Sequence, residues 1–288
     1  MSIFSHLCSS KNRTFQSIND MAVSLLFQVL QHNPDYIGTD WLVVVACLAK
    51  LSELTSCSST TTHNLSKIGF FSRDFLNDDS LKTFTLSLIE FSTSSEASVS
   101  TAATSNTFGN KLYSSAQKKL RSIKMSTKPD DFSTLPFALV LLVIVSSSNY
   151  QRFHHVGQKI LAHFGDQATS NESDIVRTFS LDVISYLIIP RLIANDAEKE
   201  IRVGQLGEMV LLLPLCDVIK QANYDDTVEL GLVKLKQIVD DGYNLTAAWP
   251  TIIESLSTVA DVPRNNGDWS VCCTTAFGCL KLIVDGKE

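Results

Sequence analysis

Imidazole is the commonest nitrogen donor to zinc, so His154, His155 and His163 are the first residues of this chain whose type could support chemistry. Their spacing suits a metal poorly. His155 and His163 stand eight positions apart, about 12 Å along a helix, and no fourth donor lies near them in sequence. Cys272, Cys273 and Cys279 could be redox or nucleophilic thiols. Cys272 and Cys279 are seven apart, however, and would share one helical face as small apolar groups do. The acidic pairs Asp78-Asp79, Asp130-Asp131, Asp225-Asp226 and Asp240-Asp241 could suit general acid and base work. Each falls at an expected helix end or in a loop, where a carboxylate caps or terminates a helix, and none has a partner motif. No GxSxG elbow, glycine-rich phosphate loop, HExxH or dinucleotide fingerprint occurs. The expectation is therefore no catalytic residue, no metal and no cofactor. The alternative is a helical enzyme whose site is assembled from scattered residues around His154 and His155.

A basic segment is the strongest candidate for function. Between Ala97 and Pro129 there is no Asp or Glu, while Lys111, Lys118, Lys119, Arg121, Lys124 and Lys128 supply six positive charges. The net charge is −6, so the remainder of the chain carries about −12. Unopposed charge of this kind, beside a Ser/Thr-rich tract, suits an anionic membrane surface or an acidic partner, with release by phosphorylation. The competing reading is a solvated basic helix and loop. The negative balance of the whole chain argues against nucleic acid as the partner, because that needs a basic footprint to displace counterions.

At 288 residues, 44% of them apolar, the chain can bury roughly three quarters of its unfolded surface. Charged residues are sparse at 19%, which leaves part of the exterior to Ser, Thr and Asn or to a partner. The odd count of cysteines, Cys8, Cys47, Cys57, Cys216, Cys272, Cys273 and Cys279, shows no disulfide or zinc-ribbon spacing and reads as reduced, buried thiols. No signal-peptide pattern opens the chain, so the Asn-x-Ser/Thr triplets are expected to be chance matches. The longest apolar run, Leu135 to Val145, has eleven residues, too few to span a bilayer, and predicts a buried helix with a buried strand as the alternative.

The elements that must position these residues are helical by period. Phe15, Ile18, Ala22, Leu25 and Val29 step by three and four, as do Trp41, Val44, Leu48, Leu51 and Leu54, and then Leu81, Phe84, Leu88 and Phe91. After the basic segment come Leu135 to Val145 and YQRFHHVGQKILAHF, with GDQATSNESD expected as a loop. Ile175 to about Ala194 follows, kinked or ended by Pro190. A helix from near Glu198, with Met209, Leu212, Cys216 and Ile219 on one face and a kink at Pro214, precedes the closing elements. Asn266-Gly267 suits a tight hairpin turn, but Cys273, Phe277, Leu280 and Val284 after it keep helical spacing. The domains expected are helical repeats over 1–92, a Ser/Thr-rich and basic, partly disordered segment over 93–131, and further helical repeats over 132–288.

Two hairpins share a grammar. One helix closes at Leu25 to Leu30 and the next opens at Trp41, with Thr39 or Asp40 placed to cap it. Another ends at Asp240-Asp241-Gly242, and its successor opens at Trp249-Pro250, where a first-turn proline costs no hydrogen bond. Each Trp stands twelve positions beyond a residue of the preceding helix, Val29 or Gln237. Trp41, Trp249 and Phe277 are thus expected to be structural core fillers of an all-α, HEAT/armadillo-like stack, an α-solenoid.

In AAWPTIIESLSTV, followed by a polar loop and TTAFGCLKLIV, the chain resembles the C-terminal helical region of the Mon-two (monensin-sensitivity) family of Golgi and endosome trafficking proteins, relatives of the large BIG-type Arf exchange factors. LGEMVLLLPLCDVIKQANYDDTVELGLVKLKQIVDDGYNL resembles the preceding helix pair, and FQSINDMAVSLLFQVLQHNPDYIGTDWLVVVACLAKLSEL an earlier hairpin of that region. The resemblance implies a non-enzymatic scaffold in endosome-to-Golgi transport, cytoplasmic and peripheral on those membranes, acting with Dopey-type proteins and Arf-like GTPases. It carries over no catalytic residue. Direct regulation of an Arf-family GTPase is the alternative within this reading, although no exchange domain is recognisable. The family's N-terminal regions are absent and its members continue past Asp285-Gly286-Lys287-Glu288, so a piece or a reduced version of a longer stack is expected.

Overall fold

A computed structural model describes residues 16–32, 34–53, 76–94, 107–121, 125–193, 207–241, 245–261 and 271–285. Among them there is no strand, and the fold is all-α, with helices packed on their neighbours in chain order. The α-helices are α1 (Gln16–His32), α2 (Trp41–Glu53), α3 (Asp78–Thr93), α4 (Thr107–Leu120), α5 (Phe137–Ser148), α6 (Phe153–Ser170), α7 (Asp174–Leu192), α8 (Gly207–Gln221), α9 (Asp225–Asp241), α10 (Trp249–Ala260) and α11 (Val271–Asp285). They form two compact units, residues 1–121 with 128–156, and residues 122–127 with 157–288. The division falls inside α6.

The first unit is organised by α5. This is the apolar run read from sequence as a buried helix, and Phe137 through Ser146 are all buried in it. A segment with no charge to keep in water takes the centre, and α2, α3 and α4 pack around it. Trp41 is 1% exposed and its ring lies 4.8 Å from that of Phe84 on α3, so the expected core role holds at this position. Asn77 caps α3 by accepting the Ser80 amide at 2.8 Å. The start of α2 differs from expectation. Gly38–Asp40 forms a 3-10 turn that runs directly into the helix, entered through Gly38 at φ 52°, a conformation that favours glycine.

In the second unit α7 packs on α8 and α9, α8 on α9 and α10, α9 on α11, and α10 on α11. Each helix meets the next or the next but one, the arrangement of stacked helical hairpins. Pro250 stands in the first turn of α10, as its missing N–H allows. Gly165 does not begin a loop, because α6 continues to Ser170 and leaves only Asn171–Ser173 as a connection. The reason is packing: a Cβ at Gly165 would lie 3.4 Å from the Cβ of Pro214 on α8, so glycine serves close helix approach here. Pro190 likewise does not end α7, which runs on to Leu192. The helix expected from near Glu198 is described from Gly207 onward. The Ser/Thr-rich tracts at 55–62 and 95–106 and the Asn266-Gly267 turn lie outside the described residues.

Candidate functional site

Within the expected 93–131 segment, α4 is an ordered amphipathic helix. Leu112, Tyr113, Ala116 and Leu120 are buried at three- and four-residue steps, which anchors one face. The Tyr113 hydroxyl donates to the Leu135 carbonyl at 2.9 Å, and burial pushes its pKa up to about 12. The opposite face is left to Ser114, Lys118 and, just past the helix, Arg121, all exposed. Lys111 stands on α4 seven positions before Lys118, and its side chain lies outside those described. Lys119 is half-buried, and desolvation holds its ammonium below the usual lysine value. The 3-10 turn Pro129–Thr134 packs against α4, and Lys128, directly ahead of that turn, is exposed. Lys124 lies outside the described residues.

The histidines do not form a metal centre. His154 and His155 are exposed neighbours with ring centroids 3.9 Å apart, and His155 Nε2 lies 3.1 Å from Asp78 Oδ2. Arg152 holds the other oxygen of Asp78, donating from Nε at 2.7 Å. His163 lies further along α6 and is 5% exposed, and burial drives its pKa down to about 4. Among the described residues no group of three or more His, Cys, Asp or Glu could hold a metal. The acidic pairs sit at helix ends. Asp78-Asp79 and Asp225-Asp226 occupy first turns, Asp130-Asp131 the first turn of the 3-10 segment, and Asp240-Asp241 the close of α9.

Cys47, Cys216, Cys272, Cys273 and Cys279 are buried and unbridged, whereas Cys8 and Cys57 lie outside the described residues. Desolvation raises the thiols of Cys47 and Cys279, and that of Cys216 to about 11, which disfavours the nucleophilic thiolate. Cys272 and Cys279 share the inner face of α11, as their spacing predicts. Phe277 departs from its expected core role, being 59% exposed on the outer side of that helix. Trp249 is half-buried, with its Nε1 donating to the Leu245 carbonyl at 2.7 Å.

Sequence reading missed three buried electrostatic clips in the second unit. Asp182 on α7 is fully buried and accepts from the Ser126 amide at 2.9 Å, from the Thr127 amide and hydroxyl at 2.8 and 2.7 Å, and from Lys234 Nζ on α9 at 2.9 Å. Arg177, 5% exposed, donates to Thr227 Oγ1, to the Asn171 and Glu172 carbonyls and to Asp226, with its guanidinium 3.7 Å from the centre of the Tyr224 ring. Glu208 on α8 turns its Oε2 to the amides of Thr246, Ala247 and Ala248 at 3.0, 2.9 and 3.2 Å, tying the segment that leads into α10 to α8. A signal for the first clip was available. Asp182 interrupts the apolar row Phe179, Leu181, Val183, Ile184, where a solvent-facing acid is out of place.

These buried charges are spent on fastening helices to loops, whereas Lys118 and Arg121 at α4 are turned to solvent. No described helix is long and apolar enough to cross a membrane. Compared with known proteins, the chain matches no protein-family model and no curated protein.

Proposed function

We propose that this protein is a non-enzymatic scaffold of the Mon-two type, working in endosome-to-Golgi protein transport as a peripheral component of those membranes. The observation that carries the reading is the packing of α8 to α11, each helix on the next or next but one, over the residues whose sequence resembles that family. Stacked hairpins expose long ridged surfaces suited to protein partners. The buried acids, bases and thiols of this unit are engaged in holding helices together, as expected of a rigid binding platform. The partners proposed are Dopey-type proteins and Arf-like GTPases.

Affinity purification of the tagged chain from cells, with partner identification by mass spectrometry, tests the proposal. Enrichment of Dopey-type proteins or Arf-like GTPases over an unrelated helical control supports it. Recovery of neither, together with a diffuse distribution that ignores Golgi and endosome markers, overturns it. Stimulated nucleotide release from a purified Arf-family GTPase would replace the scaffold reading with direct regulation.

A further inference from the structure

We propose that Ser126 is a phosphorylation site, and that a phosphate there releases residues 125–127 from Asp182. Ser126 is exposed, and it lies outside any helix, a few residues ahead of the Pro129–Thr134 turn. A kinase cleft takes its substrate as extended chain, which rules out Ser114 and Ser115 while α4 holds them, and the Thr127 hydroxyl is buried on Asp182. The charge around Ser126 has one sign. Lys124 stands two positions before it, Lys128 two after it and Arg121 five before it, and the sequence from Ala97 to Pro129 has no Asp or Glu. Bases on both sides of a hydroxyl suit a kinase whose substrate cleft is lined with carboxylates.

The same residue serves a buried carboxylate, so modification has a structural consequence. The Ser126 amide donates to both oxygens of Asp182, at 3.1 and 2.9 Å, and the Thr127 amide and hydroxyl donate to Oδ2 at 2.8 and 2.7 Å. Asp182 is 0% exposed, with Lys234 Nζ at 2.9 Å from its Oδ1. All these contacts lie within the second unit. In the transfer, Ser126 Oγ bonds to the γ-phosphorus of ATP, the bond from that phosphorus to ADP breaks, and the hydroxyl proton passes to the kinase's base. About two negative charges then stand on a side chain joined to the donating amide through Cα and Cβ alone. They repel the carboxylate that this amide serves, and the phosphate oxygens compete with Asp182 for the same N–H. Lys234 and exposed Lys128 together carry less charge than phosphate and carboxylate do, so the repulsion is not cancelled.

Treatment of the purified full chain with protein kinase C, which prefers bases on both sides of its serine, and ATP tests the proposal. Peptide mapping by mass spectrometry should place phosphate on Ser126 in wild type, and that peptide should stay unmodified in Ser126→Ala. In the phosphorylated chain the Thr127 amide should exchange its hydrogen about tenfold faster or more, and the thermal midpoint should fall. Kinase-treated Ser126→Ala should keep both at the level of untreated wild type. Ser126→Glu adds one charge where phosphate adds about two, so its exchange should lie between the two. Absence of phosphate from Ser126 would overturn the site. Complete modification of Ser126 with unchanged exchange at Thr127 would overturn the release. Neither result bears on the scaffold reading, which capture of partners tests by itself.

Discussion

Lys234 Nζ lies 2.9 Å from Asp182 Oδ1, and neither side chain reaches water. Each charge is tolerated because the other is present and because the Ser126 and Thr127 amides and the Thr127 hydroxyl complete the acceptor shell of Asp182. Removing one partner leaves an uncompensated buried charge, which costs about 3 to 5 kcal/mol. Lys234→Met should therefore lower stability by that order in denaturant unfolding. Asp182→Ala should cost at least as much, since it also strands the three donors of Ser126 and Thr127. The double variant should be less destabilised than the two single effects combined. A Lys234→Met midpoint equal to wild type would show that the carboxylate does not depend on the ammonium.

The helices were legible in sequence because burial imposes a period that apolar residues must follow. Phe84, Leu88 and Phe91, and the run Leu135 to Val145, reached the core as read. The clips were not legible for the opposite reason. Lys234 lies in LVKLKQIV beside Lys236, and nothing local tells the buried lysine from the one that reaches Asp240 at the surface. Only the arrival of Asp182 from another helix separates them. Gly165 was misread because glycine marks both loops and close helix contacts, and the neighbour that decides between them, Pro214, is remote in sequence. The basic segment was visible from composition alone, but which of its residues share a face required the buried side of α4.

His163 makes stability depend on pH in a definite direction. Its pKa falls from an unfolded value near 6.5 to about 4 in the folded chain because burial penalises the imidazolium. Between these values the unfolded state binds a proton that the folded state does not, so stability falls as pH drops through this window. The full difference amounts to roughly 3 kcal/mol, lost by about pH 4. Denaturant unfolding at several pH values between 4 and 7 should show this slope for wild type. His163→Gln should flatten it by about one proton, and an unchanged slope would assign the dependence to other groups.

Gly231 opposes two effects whose magnitudes decide the outcome. An alanine there would gain up to about 1 kcal/mol of helix propensity. Its Cβ would, however, stand 2.9 Å from Ile219 Cγ1 on α8, a near-backbone atom that cannot swing away. Overpacking of this kind costs about 1 to 3 kcal/mol, so Gly231→Ala should lower the thermal midpoint. In an Ile219→Ala background the clash is gone, and the same change should be neutral or stabilising. A double-mutant cycle without coupling between these positions would rule out close approach of α8 and α9 at this point.

Trp41 and Trp249 occupy equivalent places in the two sequence hairpins but differ in burial, and stability measurements should separate them. Trp41 is 1% exposed and packs on Phe84, so Trp41→Ala opens a cavity that its neighbours can only partly fill and should cost about 3 to 5 kcal/mol. Trp249 is half-buried, and its indole N–H serves the Leu245 carbonyl just ahead of α10. Its removal forfeits less apolar burial and one hydrogen bond, for an expected cost of about 1 to 2 kcal/mol. Trp249→Phe, which keeps most of the ring contact but not the donor, should isolate the hydrogen-bond share. Equal losses for the two alanine variants would mean that Trp249 is covered in solution, and fluorescence quenching by acrylamide in a background carrying Trp41→Phe and Trp269→Phe, where Trp249 is the remaining tryptophan, would report that cover directly.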